Sequence, residues 1–132
     1  MSTSLRRERH SVTSLLIHLI CITKYRRKVL TADGLKVIEE SFNTVAKSLC
    51  CRVIEFNGES DHVHVLIEYP PKLSVSKIAN ALKGTSSRRY GQAGYRKPHK
   101  TALWSPSYFA ASVGGAPIEV LKKYIQNQEK PS

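Results

Sequence analysis

Between Asn57-Gly58 and Tyr69-Pro70-Pro71 runs the segment Asp61-His62-Val63-His64-Val65-Leu66-Ile67-Glu68, whose alternation admits few structures. Side chains of an extended chain point alternately to opposite faces, so Val63, Val65 and Ile67 share one face and His62, His64 and Leu66 the other. The valine face reads as core. Asn-Gly is a tight-turn signal and proline cannot extend a ladder, so the strand is entered from a turn and stopped by Pro70. Two imidazoles side by side on the opposite face need partners, because burying unpaired polar rings costs about 2 kcal/mol or more each. A metal ion is one such partner. The alternative is a half-exposed strand whose outer face happens to carry two histidines.

The flanking sequence supplies the other elements. Residues 14–23 are apolar on both faces and predict a central, doubly covered strand, within which His18 reads as a satisfied core histidine. Thr31 is a helix cap, and Leu35, Ile38, Phe42, Val45 and Leu49 recur at helical spacing behind it. Residues 52–56 predict a short strand, turned by Asn57-Gly58-Glu59 into the histidine strand. Ser74 caps a second helix through about Arg89, with Val75, Ile78, Ala79, Ala81 and Leu82 inward and Lys77, Lys83, Arg88 and Arg89 placed to meet anions. Residues 91–101 predict a basic loop. Residues 108–113 predict a fourth strand led in by Trp104-Ser105-Pro106, with Trp104 packing rather than stacking on a base. Gly114-Gly115 ends that strand, and Pro117 opens a last helix to about Gln128.

The result is a single domain over residues 1–132, with a flexible lead-in at 1–12 and a tail at 129–132. Its class is α+β: a ferredoxin-like, RRM-like βαββαβ antiparallel sheet with helices on one face, plus a C-terminal helix. That last helix places Tyr124 and Gln128 four residues apart on one face.

Lys and Arg number 21 against 10 Asp and Glu, a net charge of +11 that implies an anionic partner, by default nucleic acid. The longest apolar run, residues 15–22, is too short to span a bilayer, so no membrane role is expected. The first ten residues lack the apolar core of a signal peptide, and three cysteines (Cys21, Cys50, Cys51) without Cys-x-x-Cys spacing read as reduced thiols, both of which predict the cytoplasm.

Six segments carry a closer likeness. Leu19-Ile20-Cys21-Ile22-Thr23-Lys24-Tyr25-Arg26, Asp61-His62-Val63-His64-Val65-Leu66, Leu103-Trp104-Ser105, Ser107-Tyr108-Phe109, Val113-Gly114-Gly115 and Lys122-Lys123-Tyr124-Ile125-Gln126-Asn127-Gln128 resemble TnpA-type single-tyrosine HUH transposases. These are the small transposases of bacterial and archaeal insertion sequences that move as single-stranded DNA. The likeness runs from about residue 14 to 128, with the motifs in the family's order.

The resemblance implies a metal-dependent DNA strand transferase. His62 and His64 would bind one Mg²⁺ or Mn²⁺, with the amide oxygen of Gln128 as third ligand. Tyr124 would be the catalytic nucleophile, forming a 5′-phosphotyrosine by transesterification and needing no nucleotide cofactor. Asp61 would orient His62 or the metal's water shell, or simply cap the strand entry. The implied partners are single-stranded DNA with hairpins at the element ends and a second copy of the chain, in a homodimer that shares its active sites. Gly114-Gly115 is a permissive hinge for such sharing or an ordinary turn. Candidate DNA contacts are Lys24, Arg26, Arg27, Lys83, Arg88, Arg89, Arg96 and Lys97. Two other readings remain: a non-catalytic single-stranded DNA- or RNA-binding module of the same shape, and a domesticated HUH nuclease acting at chromosomal repeats. An RNA-recognition module normally stacks bases on aromatics of its sheet, where this strand offers His62 and His64.

Overall fold

The computed structural model describes residues 15–113 in full, and residues 6–8 and 11–13 through their strand pairing. In chain order the elements are β1 (Arg6–Glu8), β2 (Ser11–Thr13), β3 (Leu15–Thr23), a 3-10 turn (Lys24–Arg26), α1 (Ala32–Ser48), β4 (Arg52–Gly58), β5 (His62–Tyr69), α2 (Val75–Gln92) and β6 (Trp104–Ser112). The four long strands form one sheet in the order β4-β5-β3-β6, and every neighbouring pair is antiparallel. This is the ferredoxin-like order expected from the sequence. Ahead of this sheet, β1 and β2 pair with each other antiparallel, Arg6 opposite Thr13 and Glu8 opposite Ser11.

One sheet face and the two helices enclose the core. Ile17, Leu19 and Cys21 of β3 and Val63, Val65 and Ile67 of β5 meet Ile38, Phe42 and Val45 of α1 and Ile78, Ala79 and Leu82 of α2. Burying an aliphatic or phenyl side chain of this size stabilises by about 1.5–3 kcal/mol, so this stripe carries most of the fold. Helix α1 starts where Thr31 Oγ1 accepts the Gly34 amide at 3.0 Å, and α2 where Ser74 Oγ accepts the Lys77 amide at 3.1 Å. The helices touch at Gly34. A Cβ there would lie 2.5 Å from Tyr90 Cε1, and the Tyr90 hydroxyl donates to Val29 O at 2.8 Å.

Helix α1 ends in a Schellman motif. The Cys51 amide reaches back to Ala46 O (2.7 Å) and the Cys50 amide to Lys47 O (3.1 Å). Cys50 takes the left-handed position, at φ 60°. Beyond it, β4 runs two residues further than its hydrophobic pattern predicts. Asn57 and Gly58 are not the turn; they pair with His64 and Val63 as part of the ladder. Glycine stands at 58 because α1 approaches closely there, and a Cβ would collide with the Leu35 side chain. Strand β6 likewise starts earlier than expected, at Trp104. It tolerates Pro106 because it lies at the sheet edge.

Candidate metal centre and the adjoining basic turn

The second face of the sheet follows from the register. Ile22 pairs with His62, Ile20 with His64 and His18 with Leu66, so all six share that face, and Phe109 of β6 joins them opposite Ile20. His18, His62 and His64 are all buried. The two imidazoles of β5 have ring centroids 4.8 Å apart.

Each is pinned through Nδ1. His62 Nδ1 donates to Asp61 Oδ1 at 2.7 Å, an ionised carboxylate being able only to accept. His64 Nδ1 lies 3.4 Å from His18 Nε2, with the two rings stacked at 5.5 Å. When His64 Nδ1 is the donor of that contact, its Nε2 carries a lone pair. Burial first, and then the neighbouring His62 and His18, push the His64 pKa down from 6.5 to about 4. Burial also lowers that of His18. His64 is therefore neutral at physiological pH, the form in which an imidazole binds a metal. Among the described residues, no group of three or more His, Cys, Asp or Glu side chains is arranged to hold a cation. The pair offers two nitrogen donors side by side.

The carboxylate that holds His62 also joins it to the basic turn. Asp61 Oδ2 lies 3.4 Å from Arg26 Nη2. Asp61 O accepts from the amide of Thr23 at 2.9 Å and from its hydroxyl at 3.1 Å. That hydroxyl also reaches Arg27 O at 2.7 Å, and the Lys24 amide donates to Leu103 O at 2.9 Å. Within this frame Tyr25 and Arg26 both adopt left-handed backbone, at φ 60° and 53°. Such a conformation costs a non-glycine residue about 1–2 kcal/mol, and the surrounding bonds hold it in place.

A family model described as "Transposase IS200 like" matches residues 11–128. The chain belongs to the IS200-like transposases. Two curated transposases of insertion sequence element IS200, from Salmonella typhimurium and Salmonella typhi, are each 26% identical to it over 123 residues, covering 90% of this chain and 80% of theirs. A crystal structure of a candidate transposase from Deinococcus radiodurans R1 superposes with a TM-score of 0.74 at 28% identity, over 96% of this chain and all of that one. A REP-associated tyrosine transposase, solved bound to a REP hairpin, shares the fold with a TM-score of 0.59 at 12% identity, over 93% of this chain and 68% of its own. This IS200-like transposase is thus a DNA strand-transfer enzyme by family. No helix among its described residues is long and apolar enough to cross a membrane.

The residues singled out from sequence fall into three groups. His62, His64 and Asp61 converge as described. Tyr124, Gln128 and the Gly114-Gly115 hinge lie outside the described residues. Of the eight cations assigned to DNA, Arg26, Arg27, Arg88, Arg89 and Arg96 are exposed and Lys24 is half-buried, whereas Lys83 is held within the fold. It is buried, and its ammonium donates to Pro106 O at 3.1 Å and Ser107 O at 3.4 Å, bracing the start of β6. Lys97 is half-buried and donates to Ser87 O at 3.1 Å and Ser87 Oγ at 3.3 Å. Trp104 packs, as expected, with Nε1 on Ser86 Oγ at 2.9 Å. The residue missed by sequence reasoning is His18. The even positions of β3 announce that it shares a face with Ile20 and Ile22, but only the register sets it against His64.

Proposed function

We propose that this transposase cleaves and rejoins single-stranded DNA at hairpin-marked element ends, with His62 and His64 holding one Mg²⁺ or Mn²⁺ and Tyr124 as nucleophile. The observation that carries this reading is the buried imidazole pair, each ring anchored through Nδ1 and with Nε2 making no hydrogen bond among the described residues. Nitrogen donors of this kind, completed by an amide oxygen from Gln128 and by water, suit a catalytic ion with open positions. A divalent cation bound there supplies Lewis-acid polarisation of a non-bridging phosphate oxygen.

The chain's own residues do the rest. Asp61 fixes the tautomer and direction of His62, and His64, where it donates from Nδ1 to His18, keeps its own Nε2 for the ion. The phenol oxygen of Tyr124 attacks phosphorus, an O–P bond to tyrosine forms, and the bond from phosphorus to the 3′ oxygen breaks, that oxygen leaving as a 3′-hydroxyl with a proton. Attack by another 3′-hydroxyl reverses the exchange and restores the tyrosine. One phosphodiester replaces another at each step, so no nucleotide is consumed.

The net charge of +11 supports a DNA partner, and the hairpin held by the REP-associated relative of the same fold supports hairpin recognition. A homodimer is the proposed assembly. Among the described residues strand β6 stands at the edge of the sheet, and a sheet edge can pair with a second chain.

The test is a single-stranded hairpin oligonucleotide with a free flank, incubated with Mn²⁺ and run on a denaturing gel. A covalent adduct should form and vanish with EDTA. Tyr124→Phe should bind the DNA without forming it, and His62→Ala should lose both adduct and Mn²⁺ affinity. An EDTA-resistant adduct, or a normal one from Tyr124→Phe, overturns the proposal.

A further inference from the structure

Tyr25 is the most exposed large hydrophobic side chain among the described residues, at 64%. It is held in a conformation that tyrosine does not favour, at φ 60° and ψ 17°. An exposed ring contributes little to the core, so core packing does not account for the strain at this position. Sparsely populated backbone that is over-determined by its surroundings marks functional positions, and here the surroundings are specific. Thr23, Asp61 and Leu103 clamp the turn from both sides.

Cations surround the ring, with Lys24 Nζ 5.3 Å and Arg27 Cζ 5.9 Å from its centroid. The next residue, Arg26, is paired to the carboxylate that holds His62. Lys24 and Lys83 both line a groove of about 400 Å³, together with Asn80, Ser87, Leu103 and Trp104. A presented aromatic plane, flanking positive charge and an adjoining groove are the parts of a single-strand binding site, in which the ring carries a base and the cations track its phosphates.

We infer that Tyr25 is a stacking platform for an unpaired nucleobase, positioned by the left-handed turn beside the imidazole pair. This rests on the single-stranded DNA substrate proposed above. Stacking is tolerant of sequence, because every base has a flat face, so the platform positions the strand without choosing the base.

The experiment measures binding of a fluorescent, unstructured oligothymidylate by anisotropy across a salt series, with EDTA present so that no cleavage intervenes. Tyr25→Phe should bind like the wild type. Tyr25→Leu should bind roughly 5- to 150-fold more weakly, the range for loss of one base–aromatic stack. The slope of log K against log salt should stay unchanged, since no phosphate contact is removed. Tyr25→Gly, free of the left-handed penalty, should be at least as stable to urea as the wild type and bind as weakly as Tyr25→Leu. Wild-type affinity in Tyr25→Leu overturns the inference and leaves the proposed function standing. A weakened Tyr25→Leu with a shallower salt slope also overturns it, because the ring would then act only by arranging Lys24 and Arg27. A wild-type protein with no affinity for the oligothymidylate overturns the inference, and the hairpin adduct assay decides the proposed function separately.

Discussion

Acidification should weaken the metal-free fold through His64, and by a calculable amount. In the unfolded chain this imidazole takes up a proton as pH falls through 6.5; in the fold it resists until about 4, because burial and then His62 and His18 disfavour its charge. Between those values the unfolded state binds more protons than the native state, so stability falls as pH falls, and it levels off below about 4. At 1.36 kcal/mol per pH unit the interval amounts to about 3 kcal/mol. His18, lowered by burial, adds to the loss in the same direction. Domains of this size are stable by about 5–15 kcal/mol, so the effect is large enough to measure. Urea midpoints with EDTA present, taken from pH 7.5 to 4, should decline over this window in the wild type. In His64→Gln the pH dependence should shrink by about 3 kcal/mol, whereas His99→Gln, at an exposed site, should leave it unchanged. Equal pH dependence in His64→Gln and wild type, or an NMR titration of His64 near 6.5, would refute the reasoning.

Three further substitutions test separate parts of the structure. Asp61→Asn removes the carboxylate charge from His62 Nδ1 and should weaken Mn²⁺ binding about 10- to 100-fold by calorimetry, the usual cost of losing a ligand's outer partner; unchanged affinity would detach Asp61 from the site. Cys50→Gly relieves the left-handed position of the Schellman motif and should raise stability by about 1 kcal/mol in urea. Lys83→Met leaves Pro106 O and Ser107 O without their donor and should destabilise by about 1–3 kcal/mol, while the salt slope of DNA binding stays at the wild-type value; a reduced slope would return Lys83 to the DNA contacts.

The periodic parts of this chain were legible and the close approaches were not. Alternation alone separated Val63, Val65 and Ile67 from His62, His64 and Leu66, because two faces of one strand need no tertiary information. The caps at Thr31 and Ser74 were equally local. Asn57-Gly58 misled because the pair is chemically suited to a turn, while the demand for glycine came from Leu35 across the sheet face. The burial of Lys83 was not legible either, because charge on a helix ordinarily faces water. Its neighbours at helical spacing, Ser86, Ser87 and Tyr90, are buried with it, a small polar stripe whose partners lie on distant segments: Trp104 on Ser86, the Leu103 amide on Ser87 and Val29 O beneath Tyr90. The left-handed backbone at Tyr25 and Arg26 has no composition signal, since neither residue favours it.

The two central strands carry incompatible demands on their two faces, and the site is where those demands are reconciled. The helix-facing side of β3 and β5 is aliphatic and stabilising. The opposite side buries three imidazoles, which hydrocarbon would not tolerate unless each polar edge met a partner. Asp61 and His18 supply those partners for Nδ1 of His62 and of His64. A group anchored in this way on strands cannot swing aside as a loop residue can, so its geometry is set before any substrate arrives. The tie from Asp61 to Arg26 and Thr23 carries that rigidity into the basic turn. It follows that shortening the side chain at 61 should disturb Tyr25 as well as His62, and Asp61→Ala should shift the NMR resonances of both while Asp33→Ala, at an exposed position of α1, moves neither.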